Sequence, residues 1–87
     1  MYYYSTVNNI VMTHSGIIAG KLYDAVNIHF ERPNEKGFDF LDMDLPGEVV
    51  KKSFGFSEDE ILTLKRYAKN NAAIIWDFAR EGGGENA

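Results

Sequence analysis

The chain has 87 residues, of which 45% are hydrophobic and 14% aromatic, and its net charge is −4. Such a composition can offset the entropy lost on ordering by burial, so it excludes a disordered chain and predicts one small domain with a single core. The absence of cysteine excludes a disulfide framework and a thiolate zinc site. The acidic balance disfavours nonspecific binding to a phosphate backbone, because lysine and arginine must neutralise that charge.

Residues 1 to 18 contain short strand-like runs separated by turn residues. A break at residues 14 to 16 leads to Ile17 and Ile18, which are followed by another break. We predict a first hairpin in this part of the chain, and we expect His14 to be a turn residue beside the glycine. The positions that favour strands are Tyr2, Tyr4, Ile10 and Met12.

A second hairpin is predicted between residues 26 and 41. Residues 26 to 31 alternate between apolar and polar side chains, which is the pattern of a half-buried strand. Residues 33 to 37 supply a turn, and residues 38 to 41 begin a second apolar and polar alternation. A last strand is predicted over residues 49 to 56, and it leads directly into the next element.

A capping box marks the start of a helix. Ser57 is placed to accept a hydrogen bond from the amide of Glu60, whose carboxylate is placed to accept one from the amide of Ser57. We predict one continuous helix over residues 57 to 81. The domain then spans residues 1 to 81, and residues 82 to 87 are expected to be a flexible tail.

The predicted helix carries a wider apolar face than one sheet face needs, since its apolar side chains cover an arc about 200° wide. Asn71 lies within this arc and has two interpretations. Its amide is either satisfied by backbone or water at the edge of the core, or it sets the register of a symmetric helix pair. We expect the surplus face to mediate self-association as a homodimer. The residues predicted for this interface are Tyr67, Asn71, Ile74, Trp76 and Phe78.

Together these elements predict an α+β fold. An antiparallel β-meander of about four to five strands precedes one long C-terminal helix, which packs on one sheet face. The character of the other face depends on strand register, which the sequence leaves open. That face is polar and solvated if Asn27, His29, Glu31 and Asp39 lie on it, and it can bind a partner if the tyrosines near residue 3 lie there.

One histidine and three aspartates are the nearest approach to a metal site or an acid/base pair, because adjacent antiparallel strands could bring an imidazole and a carboxylate together. The run Asp42-Met43-Asp44 lacks the glycine and the terminal glutamate of an EF-hand loop. We therefore favour solvated surface side chains and predict no catalytic residue, no metal and no cofactor. A small hydrolase or a metal-binding protein is the alternative. The four residues are His29, Asp39, Asp42 and Asp44.

Other functional classes have weaker support. The chain has no cysteine nucleophile and no G-x-S-x-G elbow, which argues against nucleophilic catalysis. The aromatic runs at residues 2 to 4 and 54 to 56 could stack bases on a sheet, but few basic residues accompany them. A sheet-based nucleic-acid binder is therefore a less favoured alternative. No apolar run reaches membrane-spanning length and the first residues do not form a signal peptide, so we expect a cytoplasmic protein without a membrane partner.

Four features follow one another from residue 26 to the end of the helix: the second hairpin, the turn Asp44-Leu45-Pro46-Gly47, a strand, and the helix opened by Ser57-Glu58-Asp59-Glu60. In this order they resemble the HicB antitoxin domain. The resemblance implies a bacterial, non-catalytic protein that occludes a small toxin ribonuclease and associates with itself. It therefore implies a small basic protein as a partner, and the surplus helix face as the assembly surface.

Overall fold

The computed structural model of the chain describes residues 1 to 82. A five-stranded antiparallel sheet precedes two helices, and the strands lie side by side in chain order. This arrangement confirms the predicted α+β fold and the antiparallel meander. The elements are β1 (Tyr2–Val7), β2 (Ile10–His14), β3 (Val26–Asn34), β4 (Gly37–Leu45), β5 (Val49–Phe54), α1 (Glu58–Asn70) and α2 (Ala72–Arg80).

The prediction of one continuous helix over residues 57 to 81 was wrong, because the helical segment is interrupted at Asn71. This residue has φ −104° and ψ 4°, and it separates α1 from α2. Its side-chain amide donates to the carbonyl of Tyr67 at 2.8 Å, and its Oδ1 accepts a hydrogen bond from the Tyr4 hydroxyl at 2.7 Å. The backbone amide of Asn71 also donates to the carbonyl of Tyr67 at 3.1 Å, so the side chain and the backbone of Asn71 share one carbonyl where the helix is interrupted.

The helix start is confirmed. Ser57 is the N-cap of α1, and both hydrogen bonds of the capping box are present. Glu60 N donates to Ser57 Oγ at 3.1 Å, and Ser57 N donates to Glu60 Oε1 at 2.9 Å. At the other end Gly82 has φ +74° and its amide donates to the carbonyl of Ala79. The rest of the predicted tail, residues 83 to 87, lies outside the described residues.

The first hairpin turns at two asparagines. Asn8 and Asn9 have φ values of 52° and 67°, and they join Val7 to its partner Ile10. Two successive positive φ values characterise the type I′ turn, whose twist matches that of the paired strands. After β2 the chain does not form a strand at residues 17 and 18, since only an isolated bridge joins Ile18 to Ala25.

The core lies between one face of the sheet and the two helices. Alternate residues of β2, β3 and β4 point to this side, and the helices cover them with small and branched side chains. Phe30, Ile28 and Leu41 are among the largest fully buried side chains. In the described residues no helix is long and apolar enough to cross a membrane. The buried apolar residues are Met12, Val26, Ile28, Phe30, Leu41, Met43, Leu45, Phe56, Leu64, Ala68, Ile75 and Ala79.

A charged junction fastens the second hairpin to the start of α1. Arg32 donates from Nε and Nη2 to Asp39 Oδ2 at 2.9 and 2.7 Å, and from Nη1 to Glu60 Oε2 at 2.6 Å. Its guanidinium carbon lies 4.5 Å from the centre of the Phe56 ring. Asn34 donates to the other oxygen of Asp39 at 2.7 Å. One side chain thus joins β3, β4 and the helix cap, and we call this group the Arg32 junction.

Gly55 completes the Arg32 junction from the side of β5. Its φ is +87°, and a Cβ placed there would lie 2.0 Å from Asp39 Oδ1. A side chain at this position would therefore require both a strained backbone and displacement of the buried carboxylate. The chain between β5 and α1 consequently passes close to Asp39 only because residue 55 is glycine.

The Arg32 junction predicts a specific loss of stability in acid. The ion pair with Arg32, followed by the backbone bond from Ser57, lowers the pKa of Glu60 from 4.5 to about 2. A carboxylate whose pKa is lowered by folding stabilises the folded state above its unfolded pKa, and this contribution is lost as the pH falls from 4.5 towards 2. We expect Glu60→Gln, which keeps an acceptor for the Ser57 amide, to flatten the dependence of unfolding free energy on pH in this window.

Denaturant titrations at several pH values between 2 and 5 measure this dependence. Glu58→Gln is the matched control, because Glu58 is an exposed acid in the same helical turn and has no bond to Arg32. We expect Glu58→Gln to show the same dependence of unfolding free energy on pH as wild type. Equal slopes for wild type and Glu60→Gln would contradict a stabilising role for the ion pair.

Candidate functional site

The sheet face opposite the helices is not covered by any described element, and we call it the open face. Strand residues alternate sides, so the neighbours of the buried residues point to this face. His29 lies opposite Asp42 across β3 and β4, and Phe40 lies opposite Phe54 across β4 and β5. The open face therefore combines charged and aromatic side chains from three adjacent strands.

His29 is held between two carboxylates on the open face. Its Nδ1 lies 2.7 Å from Asp42 Oδ1, and its Nε2 lies 3.1 Å from Glu31 Oε1. Partial burial lowers the pKa of His29, but the hydrogen bonds and charges of Asp42 and Glu31 outweigh this effect and raise it. The raised pKa extends the range over which His29 carries a proton on both nitrogens, and each nitrogen already has a carboxylate oxygen within hydrogen-bond distance.

The four residues considered for a metal or acid/base site do not form one cluster. Asp39 points to the helix side of the sheet, because it is an odd number of residues from Asp42 along the same strand. Asp44 is on the open face but accepts from Asn27 at 3.1 Å and pairs with Lys51 at 3.5 Å. Only His29 and Asp42 are in contact. Within residues 1 to 82 no group of three or more His, Asp or Glu side chains could hold a metal ion.

A row of stacked rings crosses the open face. The His29 and Phe40 rings are 6.3 Å apart at 15°, and the Phe40 and Phe54 rings are 6.2 Å apart at 22°. Phe54 is 62% exposed, and Phe38 beside it is also exposed. Sequence analysis considered residues 54 to 56 as a stacking surface but did not align Phe54 with Phe40, so it missed this row. The signal that reveals it is the register that aligns Phe40 with Phe54.

The helix residues predicted for an interface divide into two groups. Tyr67, Asn71 and Trp76 are half-buried, and Tyr67 and Trp76 pack against the core. Ile74 and Phe78 remain 50% and 38% exposed. The sheet therefore covers part of the wide apolar arc and leaves these two side chains at the surface. Leu62 of α1 is also exposed, at 57%, although sequence analysis did not single it out.

The partly exposed ring of Phe78 lies beside β1. The Tyr4 ring is 6.2 Å from the Phe78 ring, and the Tyr4 hydroxyl donates to Asn71. The Tyr67 hydroxyl donates to Ser5 Oγ at 3.0 Å. We call Tyr67, Asn71, Ile74 and Phe78 the helix stripe, since they recur at helical spacing along this edge of the sheet.

His14 is not a turn residue, which corrects the prediction. It is the last residue of β2 and is fully buried beneath the rings of Tyr2, Tyr4 and Phe78. Its Nδ1 lies 2.8 Å from the carbonyl oxygen of Ser15, and its Nε2 has no partner among the described residues. The even spacing from Met12 places it on the core side of the sheet, where the neighbouring rings exclude water.

One small cavity lies between the first hairpin and α1. Its volume is about 120 Å³, and Met12, Phe30 and Leu64 are among the residues that line it. Pockets for small molecules usually have volumes of several hundred Å³ and a few convergent polar groups. Of the four polar residues that line it, Ser5 and Tyr67 bond to each other, and the other two are Asn8 and Thr63. This cavity therefore lacks the features of a substrate site.

Comparisons with models of known protein families, with curated proteins and with solved structures gave no match.

The geometry around His29 predicts how its titration responds to substitution. Asp42→Asn removes a negative charge and replaces the charged acceptor, so we expect the pKa of His29 to fall. A histidine whose pKa is raised by folding stabilises the folded state below its unfolded pKa, and this contribution disappears as the pH rises through the folded value. In Asp42→Asn the extra stability on the acidic side should shrink.

NMR titration of the His29 ring protons measures the pKa directly. Asp44→Asn is the matched control, because Asp44 is on the same strand and face but does not contact the imidazole. We expect it to change the pKa less than Asp42→Asn does. An unchanged pKa in Asp42→Asn would show that the carboxylate does not control the titration of His29.

Proposed function

We propose that this protein is a small, non-catalytic protein-interaction module that associates with itself through its C-terminal helical segment. The observation that carries the proposal is the exposure of Ile74 and Phe78 on α2, next to the partly exposed edge of the sheet. Apolar side chains gathered at one edge lose contact with water when a partner covers them, and this loss of hydrated surface stabilises association.

The local geometry favours association over chemistry. The histidine on the open face has both nitrogens engaged by carboxylates, and the other histidine is buried beneath aromatic rings. A hydrolase or a metal-binding protein needs a free lone pair or an open coordination position at such a residue. Neither His29 nor His14 offers one to an incoming substrate.

A second, basic protein is the other proposed partner. The net charge of −4 favours the approach of a positively charged surface by long-range attraction. Glu31 and Asp42 lie on the open face near the half-buried ring of Phe40 and the exposed ring of Phe54, so a basic partner would meet both charge and apolar surface there. The antitoxin-like role implied by the HicB resemblance stays a prediction, and it requires such a partner.

The test of self-association compares two matched substitutions. Ile74→Glu and Leu62→Glu each place a carboxylate at a half-exposed apolar position on a helix, but only Ile74 belongs to the helix stripe. Light scattering at micromolar concentration should give wild type and Leu62→Glu about twice the monomer mass of 9.9 kDa. We expect Ile74→Glu to give the monomer mass while its circular dichroism spectrum stays that of wild type.

A monomeric wild-type protein would contradict self-association.

The basic partner is tested by affinity capture from the native host. The identified protein is then mixed with the purified chain, and the stoichiometry of their complex is measured. A small basic protein bound in fixed stoichiometry, and released by raised salt, supports this part of the proposal. If no small basic protein is captured, the proposal of a basic partner fails.

A further inference from the structure

We propose that two copies of this chain join by antiparallel pairing of their β1 strands, which extends the two sheets into one and brings the helix stripes beside the joint. This inference rests on the proposed self-association and specifies its partner and its mode. It follows from a difference between the two edges of the sheet, from the position of the helix stripe, and from the distribution of charge.

The two edge strands differ in charge. β1 and β5 are the outer strands of the sheet, so each presents one row of backbone groups that no neighbouring strand pairs. β5 contains Lys51 and Lys52, and all six of its residues are exposed. Lysines on an edge strand oppose pairing with a further strand, because the charges must be desolvated. β5 is therefore protected against edge-to-edge association.

β1 lacks this protection. Its six residues are YYYSTV, with no charged side chain and no proline, and tyrosine, threonine and valine all favour strands. Tyr3 is 66% exposed and Val7 is 49% exposed, so the strand also offers apolar surface. An uncharged edge of this length is a template for a further strand.

The helix stripe continues the surface of β1. Tyr4 bonds to Asn71 and its ring lies beside Phe78, while Ser5 accepts a hydrogen bond from Tyr67. A chain that pairs with β1 consequently lies next to the exposed part of α2. The stripe is also uncharged, since its four residues are Tyr67, Asn71, Ile74 and Phe78.

The charge distribution favours a second copy as the occupant. Two chains of net charge −4 repel each other, so their contact is least unfavourable where neither surface carries a charged side chain. β1 and the helix stripe form such a surface. A basic protein would gain nothing from charge here and is directed instead to the carboxylates of the open face.

The symmetry of the pairing and the surface available along β1 are compatible with a second copy of the chain as the partner. A strand that pairs antiparallel with its own copy does so about a two-fold axis, so both copies use the same residues. The exposed parts of Tyr3, Val7, Ile74 and Phe78 supply apolar surface along this edge, and the paired strands must bury about 600 Å² on each copy to reach the lower end of stable interfaces. The pairing of β1 with β2 shifts register between Tyr3 and Ser5, so the two-fold axis can lie on either side of that shift.

Cysteine cross-linking tests the inference in the full chain, which has no cysteine of its own. Single cysteines are placed along β1 at Tyr3, Ser5 and Thr6, and a control cysteine at the exposed Ser53 of β5. Under mild oxidation we expect a covalent dimer from the β1 variant nearest the two-fold axis, at a yield at least tenfold above that of Ser53→Cys. Equal yields from all positions would overturn the inference.

A charge substitution gives a second, independent readout. Thr6→Lys puts on β1 the kind of side chain that β5 carries, and we expect it to weaken dimerisation at least tenfold. Ser53→Lys, at an exposed position of the other edge, should leave the dissociation constant unchanged. If wild type is a dimer that Thr6→Lys does not weaken and no β1 cysteine cross-links, this inference fails while self-association stands. A monomeric wild type defeats both.

Discussion

The Arg32 junction is the contact on which the rest of the structure depends. One guanidinium bonds to Asp39 on the neighbouring strand and to Glu60 in the first turn of α1, and it covers the ring of Phe56. These contacts lie on the helix side of the sheet and hold the start of α1 against it. The carboxylate of Glu60 serves both Arg32 and the helix cap, so the start of the helix and its position on the sheet are fixed together.

The rest of the surface follows from that position. From the Arg32 junction α1 reaches the first hairpin, where Tyr67 and Asn71 bond to Ser5 and Tyr4. The interruption at Asn71 then begins α2, which buries Ile75 and Ala79 and leaves Ile74 and Phe78 at the edge. The open face, on the other side of the sheet, carries His29, the two carboxylates that contact it and the row of aromatic rings.

The sequence predicted the features that depend on neighbouring residues. The capping box of Ser57 and Glu60 is a local motif, and the alternation of residues 26 to 31 marks a half-buried strand, so both were identified correctly. The first hairpin was located only approximately, within residues 1 to 18. Its turn is formed by Asn8 and Asn9, whose positive φ values fit a type I′ turn. Propensity alone had favoured a strand at residues 17 and 18.

Features that depend on residues far apart in the chain could not be predicted from local sequence patterns. Asn71 interrupts the helix, and its Oδ1 accepts a bond from Tyr4, which lies 67 positions earlier in the chain. Asp39 was grouped with Asp42 by composition, but strand alternation puts them on opposite faces. The ring row of His29, Phe40 and Phe54 requires the registers of three strands, and no local pattern supplies these registers.

Concentration-dependent hydrogen exchange tests the central claim, that this protein associates through the uncharged edge formed by β1 and the helix stripe. Amide exchange is measured above and below the concentration at which the dimer dissociates. We expect the outward-pointing amides of residues 2 to 7, which do not pair with β2, to become protected at the higher concentration, while the amides of the lysine-bearing strand β5 exchange at the same rate at both concentrations. Protection of β1 that does not change with concentration, or protection gained at β5 instead, would contradict it.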